Sequence, residues 1–407
     1  MNHADPELLQ KAGKMVSGCD RCGTCLPVCP LFGVRGIEAT SARGKNAITR
    51  ALADGGIEPT KEALDIVNFC LLCRACVDVC PAKVPTDDAM VDVRQHLTDL
   101  AGGPGAQYRF VGSVLKHPAI VKAASIALSI LRRSHLNGLI PYGMAPEEYA
   151  RSRFLNAFAG PASLGRLATP SEVTVTAQSK VAYFRGCGME MMFPGAAAES
   201  RAILKSTTRL REPQNVCCGL PHLAHGLRGD FLDLARRNIR AFEEADVIVS
   251  DCASCGSTLK HLGAFLADDP VWKDRAAVFS AKVMDFAEYL AKVGYEPRQK
   301  TDAVFTYHDP CHLVRGQGIT GPPRELLKAA GRFVEMKGSD VCCGGAGSFH
   351  IDYPDAAAQI LDRKRKNIEE TEASVVTTGC PGCLIQLAKA AKASGGKFKA
   401  MHISQVI

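Results

Sequence analysis

Apolar and polar positions along the chain fall into three successive rhythms. Through residues 1–100 the apolar positions recur at helical spacing in short stretches, notably 61–67 and 86–97, the second opening on a cap-like Thr86. No alternating strand pattern stands out, so this part is expected to be all-α. Residues 101–178 begin at AGGPG and end at ATPSEVTVTAQS, both linker-like, and enclose a helical stretch over 110–131 with a break near Pro118. From Lys180 onward, short β-branched apolar runs (KVAYFRGC, ADVIVSDC) alternate with helical text such as PGAAAESRAILKSTTRL. That alternation predicts α/β structure on a parallel sheet.

The third rhythm is played twice. AVFTYHDPC repeats KVAYFRGC, DVCCGG repeats NVCCGL, and ASVVTTGC repeats ADVIVSDC; Asn238-Ile239 returns as Asn367-Ile368. Cys311 follows Cys187 by 124 residues, Cys342 follows Cys217 by 125, and Cys380 follows Cys252 by 128. A near-constant offset over five cysteines predicts two half-domains related by a pseudo-two-fold axis. The expected architecture is multidomain: an all-α module at 1–100, a helical connector at 101–178, and duplicated α/β half-domains with parallel sheets at 179–299 and 300–407.

Composition narrows the chemistry. The 407 residues, 46% hydrophobic and 22% charged, are globular in character and long enough for two or three domains. A net charge of +7 is too mild to indicate nucleic acid, and no nucleic-acid partner is expected. Cysteine is the outlier. Eighteen thiols fall short of the roughly 8–10% of small disulfide scaffolds, and the N-terminal stretch lacks the apolar core of a secretory signal. The uncharged run 123–131 is far below the ~20 residues of a membrane span. A reducing cytoplasmic setting follows, where clustered cysteines read as metal ligands.

Cys19, Cys22, Cys25 and Cys29-Pro30 spell C-x2-C-x2-C-x3-C-P, and Cys70, Cys73, Cys76 and Cys80-Pro81 spell it again. Three thiolates on a tight loop converge on one [4Fe–4S] cube, while the fourth reaches the other cluster. Cys19, Cys22, Cys25 and Cys80 are therefore expected to hold one cubane, and Cys70, Cys73, Cys76 and Cys29 the second. Zinc also uses C-x2-C pairs, but not a run of four closed by proline, twice.

The later cysteines read Cys187, Cys217-Cys218-Gly219, Cys252-x-x-Cys255, then Cys311, Cys342-Cys343-Gly344, Cys380-x-x-Cys383. Five thiols per half exceed a tetrahedral site, and adjacent cysteines suit neighbouring irons of a more open cluster. Gly219 and Gly344 allow close backbone approach. These motifs resemble the paired Cys-Cys-Gly domains of heterodisulfide reductase. With the N-terminal module, the chain resembles the iron–sulfur subunits of the glycolate oxidase, D-lactate dehydrogenase and anaerobic glycerol-3-phosphate dehydrogenase group. The resemblance covers about residues 15–100 and 180–400. It implies a non-cubane [4Fe–4S] cluster on Cys187, Cys217, Cys218, Cys252 and Cys255, and another on Cys311, Cys342, Cys343, Cys380 and Cys383, with zinc an alternative at one of them. Both C-x-x-C pairs are complete, a departure toward the reductase pattern.

His308 and His312 flank Cys311, and His222, His225 and His350 lie near the Cys-Cys-Gly loops; donors to cluster sulfur or core residues are the plainer expectation than proton relays. The run Arg363-Lys364-Arg365-Lys366 reads as a solvated helix face, a docking patch being the sharper alternative. GGAGSF at 344–349 lacks a complete phosphate-loop pattern. The chain has no dinucleotide or flavin fingerprint, Walker loop or haem motif. Oxidation of a 2-hydroxy acid removes a hydride, whereas Fe–S clusters take single electrons, so a flavin must stand between. The resemblance thus implies an electron-transfer subunit working with an FAD-binding dehydrogenase partner toward quinone or another carrier. The rival is direct disulfide reduction at the Cys-Cys-Gly sites. The basic, apolar 110–131 stretch with Arg132 and Arg133 is expected to be either a packed connector or a peripheral membrane contact.

Overall fold

The computed structural model describes residues 5–133, 174–297 and 300–407. The described N-terminal part is wholly helical. Its main helices are Pro6–Val16, Ala42–Ala53, Lys61–Asn68 and Thr86–Leu100. The first three begin on side-chain caps: Asp5 caps the first through Glu7 N, Ser41 the second through Gly44 N, and Thr60 the third through Ala63 N. Their apolar faces (Ala12, Val16, Leu52, Val67) enter one core with Val93 of the fourth.

The connector begins as two helices, Ala106–Leu115 and Pro118–Arg133, broken at the proline. Val111 and Leu115 are buried against the first half-domain, while Phe110, Ile120 and Ile126 face outward. Ser125 Oγ donates to the Glu190 carbonyl at 2.8 Å, and Lys116 Nζ lies 2.6 Å from Asp230. Residues 134–173 and the side chains of Arg132 and Arg133 lie outside the described residues. Among the described residues no helix is long and apolar enough to cross a membrane.

Two parallel sheets follow. The first holds β1 (Val181–Tyr183), β2 (Val247–Ser250) and β3 (Val283–Asp285) in the order β1-β2-β3. The second holds β4 (Val304–Tyr307), β5 (Arg332–Phe333), β6 (Val375–Thr378) and β7 (Lys399–His402) in the order β5-β4-β6-β7. The duplication is visible in this topology: β4, β6 and β7 repeat β1, β2 and β3. An isolated parallel bridge from Ala182 to Arg211 stands where β5 stands in the second sheet. The strands are apolar on both faces because both are covered. Val181, Tyr183, Val247 and Val249 join Phe305, Tyr307 and Val375 in a core between the halves. Ala182 and Ile248 point the other way, into the core shared with the helical module. Sequence rhythm anticipates β1, β2, β4 and β6; β3, β5 and β7 are two to four residues long and carry no such signal.

Candidate metal centres

The two ferredoxin-type loops take the same backbone shape. Arg21 (φ 57°) and Gly23 (φ 87°) in the first correspond to Leu72 (φ 49°) and Arg74 (φ 63°) in the second, 51 residues on. These left-handed positions turn the loop tightly between successive cysteines. Non-glycine residues hold three of the four, so the fold imposes the turn. Arg50 donates to the carbonyls of Val16, Ser17 and Cys19, and Arg94 to those of Val67, Asn68 and Cys70. One guanidinium thus clamps the chain entering each loop, at equivalent positions of two helices. Sequence reasoning missed this pair; an arginine 21 residues past Cys29 and another 14 past Cys80 are the trace it leaves.

The thiols gather by crossing. Cys19, Cys22, Cys25, Cys76 and Cys80 line one cavity. Cys29, Cys70, Cys73 and Cys76 line the next, with Lys45, Thr40 and Asp87. Each fourth cysteine therefore lies with the other loop's set. Cys22 is exposed, whereas burial pushes the Cys73 and Cys76 thiols upward, as it does Cys29. Several thiols that resist ionisation alone, facing one small cavity, suit a cationic iron cluster that holds them deprotonated.

In the half-domains the parallel strands deliver the Cys187, C-x-x-C and Cys311 loops to the carboxyl edge of their sheets. Cys187 Sγ lies 3.7 Å from Cys217 Sγ, and the Gly219 N–H points at Cys217 Sγ at 3.5 Å. Thiol contacts run on from Cys217 to Cys218 and Cys255, and hold Cys218 well below the usual thiol range. The second half repeats this. Contacts link Cys311 with Cys342, Cys342 with Cys343, and Cys343 with Cys383, and the Gly344 N–H points at Cys342 Sγ at 3.4 Å. Gly219 and Gly344 sit at φ 89° and 78°; a Cβ on Gly219 would lie 2.6 Å from the Phe231 ring, one on Gly344 2.9 Å from the Ala357 carbonyl.

One contact the duplication does not predict joins the halves. Cys252 and Cys380, each beside its own C-x-x-C partner, also meet one another. Ser254 Oγ lies 3.1 Å from Cys380 Sγ, and Ala253 N donates to the Gly379 carbonyl. His402 ties the same seam to the Asp251 carbonyl at 2.9 Å.

The histidines separate by role. His222 Nε2 lies 2.9 Å from the Gly112 carbonyl and pins the connector; His225 stacks on Tyr108 at 3.8 Å; His350 Nδ1 lies 3.0 Å from the Gly345 carbonyl. Burial pushes His225 down to about 3 and His350 to about 4, so neither carries a proton near neutrality. His308 differs: one of its ring nitrogens lies within 4.8 Å of both the Cys343 and Cys383 thiols. His312 flanks Cys311 on the far side. The run Arg363–Lys366 corrects the solvated-face expectation. Lys364 is 2% exposed and donates to the Gly338 and Ser339 carbonyls. Arg363, Arg365 and Lys366 do lie outward, because a helix turns a four-residue run through more than one face.

Residues 15–84 match the 4Fe-4S dicluster domain family, and residues 181–260 and 305–388 match the cysteine-rich domain family. A probable glycolate oxidase iron–sulfur subunit of Bacillus subtilis is 32% identical, over 96% of this chain and 92% of that protein. The glycolate oxidase iron–sulfur subunit of Escherichia coli is 25% identical, over 94% and 92%. One of the subunits of a fumarate reductase (CoM/CoB) from Methanothermobacter marburgensis is 26% identical, over 97% of this chain and 72% of that protein. With its cysteine loops, duplicated sheets and near full-length match in accord, the chain belongs to the family of glycolate oxidase iron–sulfur subunits.

Proposed function

We propose that this chain is the iron–sulfur electron-transfer subunit of a flavin-dependent 2-hydroxy-acid dehydrogenase of the glycolate or D-lactate type. The observation that carries the reading is the unbroken succession of thiol sets. Cys76 lines both ferredoxin cavities. Cys29 and Cys73 share one apolar cluster with Cys311 and Cys342. Cys380 then meets Cys252. Bound Fe–S clusters exchange electrons singly. The hydroxy acid gives up two electrons and two protons together, so hydride transfer and proton abstraction belong to an FAD-binding partner. What this chain's residues supply is ligation, exclusion of water and charge around each site. The domain division at 100, 178 and 299 and the ligand sets given above are part of the proposal. So is quinone, or another carrier at the membrane surface, as the electron acceptor.

Both cubanes fit their cavities by donor type and number. The Cys-Cys-Gly sites fit iron through five thiols each. His308 beside Cys343 and Cys383 gives the second site a nitrogen donor where the first has Phe184, so zinc, if either half takes it, belongs in the second. The complete C-x-x-C pairs support the disulfide-reducing rival. The anaerobically purified chain alone should show no flavin absorbance and no hydroxy-acid oxidation with an artificial acceptor. Adding the flavoprotein subunit should restore turnover. Tight FAD binding by this chain alone, or stoichiometric disulfide cleavage by its reduced form, overturns the reading.

A further inference from the structure

Each thiol set in this protein is built twice, and the copies differ in the charge buried beside them. Arg50 and Arg94 superpose the Ala42–Ala53 helix on the Thr86–Leu100 helix, as do their N-caps Ser41 and Pro85; Lys45 then falls on Ala89. In the half-domains, Phe231 and Ile360 both pack under the glycine of the Cys-Cys-Gly loop, and Asn238-Ile239 matches Asn367-Ile368. Lys364 then falls on Ala235. The register of Cys187 on Cys311 sets Arg315 against Met191. In all three cases one copy has a buried cation and the other an apolar side chain.

The three cations meet in one place. Lys45 is 1% exposed, lines the cavity of Cys29, Cys70, Cys73 and Cys76, and donates to the Thr40 carbonyl. Lys364 is turned toward Cys343, Cys311 and Cys342. Arg315 lies between Cys311 and Cys73. Their counter-charges are unequal. Arg315 is offset by Asp340 and Asp78, both about half exposed, and Asp87 beside the second cubane site is held by Arg74. Among the described residues neither lysine has a carboxylate salt bridge. A buried ammonium without one is costly unless other anions face it; here they are cysteine sulfurs, joined at Lys364 by the more distant carboxylate of Asp340. At the first cubane site the facing cation, Arg43, is 26% exposed and paired with Glu38.

Adding an electron to a cluster adds negative charge, and a nearby cation in a low-dielectric interior stabilises that state. We propose that Lys45 and Lys364 are potential-setting residues. They hold the second cubane site and the second Cys-Cys-Gly site at higher reduction potential than their pseudo-symmetric copies. Electrons therefore collect at the junction between the helical module and the second half-domain. This rests on the reading that iron–sulfur clusters occupy these cysteines.

The test is an EPR-monitored redox titration of the full chain, with iron per chain measured on the same samples. Lys45→Met should lower the higher of the two cubane potentials by at least a tenfold change in the reduction equilibrium, about 59 mV for one electron. The lower potential should not move. Lys45→Arg should restore the original value. Lys364→Met should do the same to the higher Cys-Cys-Gly signal only. Unmoved potentials at full iron content, or equal shifts of both members of a pair, overturn the proposal. Iron loss in Lys45→Met that Lys45→Arg does not repair makes the lysine structural and also overturns it. Wild-type protein without iron in the Cys-Cys-Gly halves sinks the functional reading instead, and iron analysis alone reports that.

Discussion

At the residue scale, the sites depend on side chains that hold backbone rather than metal. Arg94 is 6% exposed and donates to the carbonyls of Val67, Asn68 and Cys70. Each buried carbonyl left unpaired costs about 1–3 kcal/mol. Arg94→Met should therefore lower stability by several kcal/mol and loosen the Cys70 loop, read as a lower denaturant midpoint and loss of iron from one cubane. Arg50→Met, whose guanidinium is nearer solvent, should cost less and affect the Cys19 loop. The crossing of the thiols gives a second outcome. Cys29 lies with Cys70, Cys73 and Cys76, so Cys29→Ser should disturb the EPR signal of that set and leave the Cys19, Cys22, Cys25 set intact. Disturbance of its own run instead would remove the crossed assignment.

At the element scale, helix starts and connectors carry the energetics. Asp285 caps the Phe286–Lys292 helix through Ala287 N, beside the buried Lys260–Glu288 pair and Tyr307. Burial raises its carboxyl to about 7, opposed by the Ala287 N–H. The unfolded chain ionises this group near pH 4, so the folded state loses stability as pH rises from about 4 to 7, at about 1.4 kcal/mol per unit. Asp285→Asn keeps a cap-competent side chain and removes the charge. Its gain in Tm over wild type should grow from pH 5 to pH 8; a constant difference means the carboxyl is not displaced. In the connector, Leu115 is 1% exposed, and Leu115→Ala should cost about 2–5 kcal/mol. The exposed Phe110, Ile120 and Ile126 keep the membrane reading testable. Lys116, Lys122, Arg132 and Arg133 changed together to Gln should release the complex from anionic vesicles at low salt without iron loss. If wild type does not sediment with such vesicles, the pair is a connector only.

At the scale of the whole molecule, the thiol sets form a path with two different ends. One end is the exposed Cys22 in the helical module, and the other is the Cys187–Cys217 pair of the first half-domain. Chain order does not match path order, because Cys29 and Cys73 of the helical module share an apolar cluster with Cys311 and Cys342 of the second half-domain. Anaerobically purified protein should carry about 16 iron atoms per chain if all four sites hold four-iron clusters. Eight irons with stoichiometric zinc in both halves would remove the Cys-Cys-Gly assignment. Zinc confined to one half should vanish with Cys343→Ser or His308→Ala if the second site holds it.

What the sequence determined by itself was everything written in spacing. The two C-x2-C-x2-C-x3-C-P runs, the doubled Cys-Cys-Gly pattern, the break at Pro118 and the strands Val181–Tyr183, Val247–Ser250, Val304–Tyr307 and Val375–Thr378 are all local, because loop geometry and apolar period act over a few residues. The β3, β5 and β7 strands were silent: β3 and β5 start two residues after a helix ends, β7 mixes charged and apolar positions, and each depends on a neighbour for pairing. The tertiary structure alone decided which copies touch. It turned Lys364 inward from a run that reads as solvated, brought Lys45 and Arg94 to a loop far along the chain, and set Cys252 against Cys380 across the seam. Each of these is a contact between segments dozens to hundreds of residues apart. Their partners are chosen by how the covered faces of helices and sheets pack, and no local pattern of side chains records that choice.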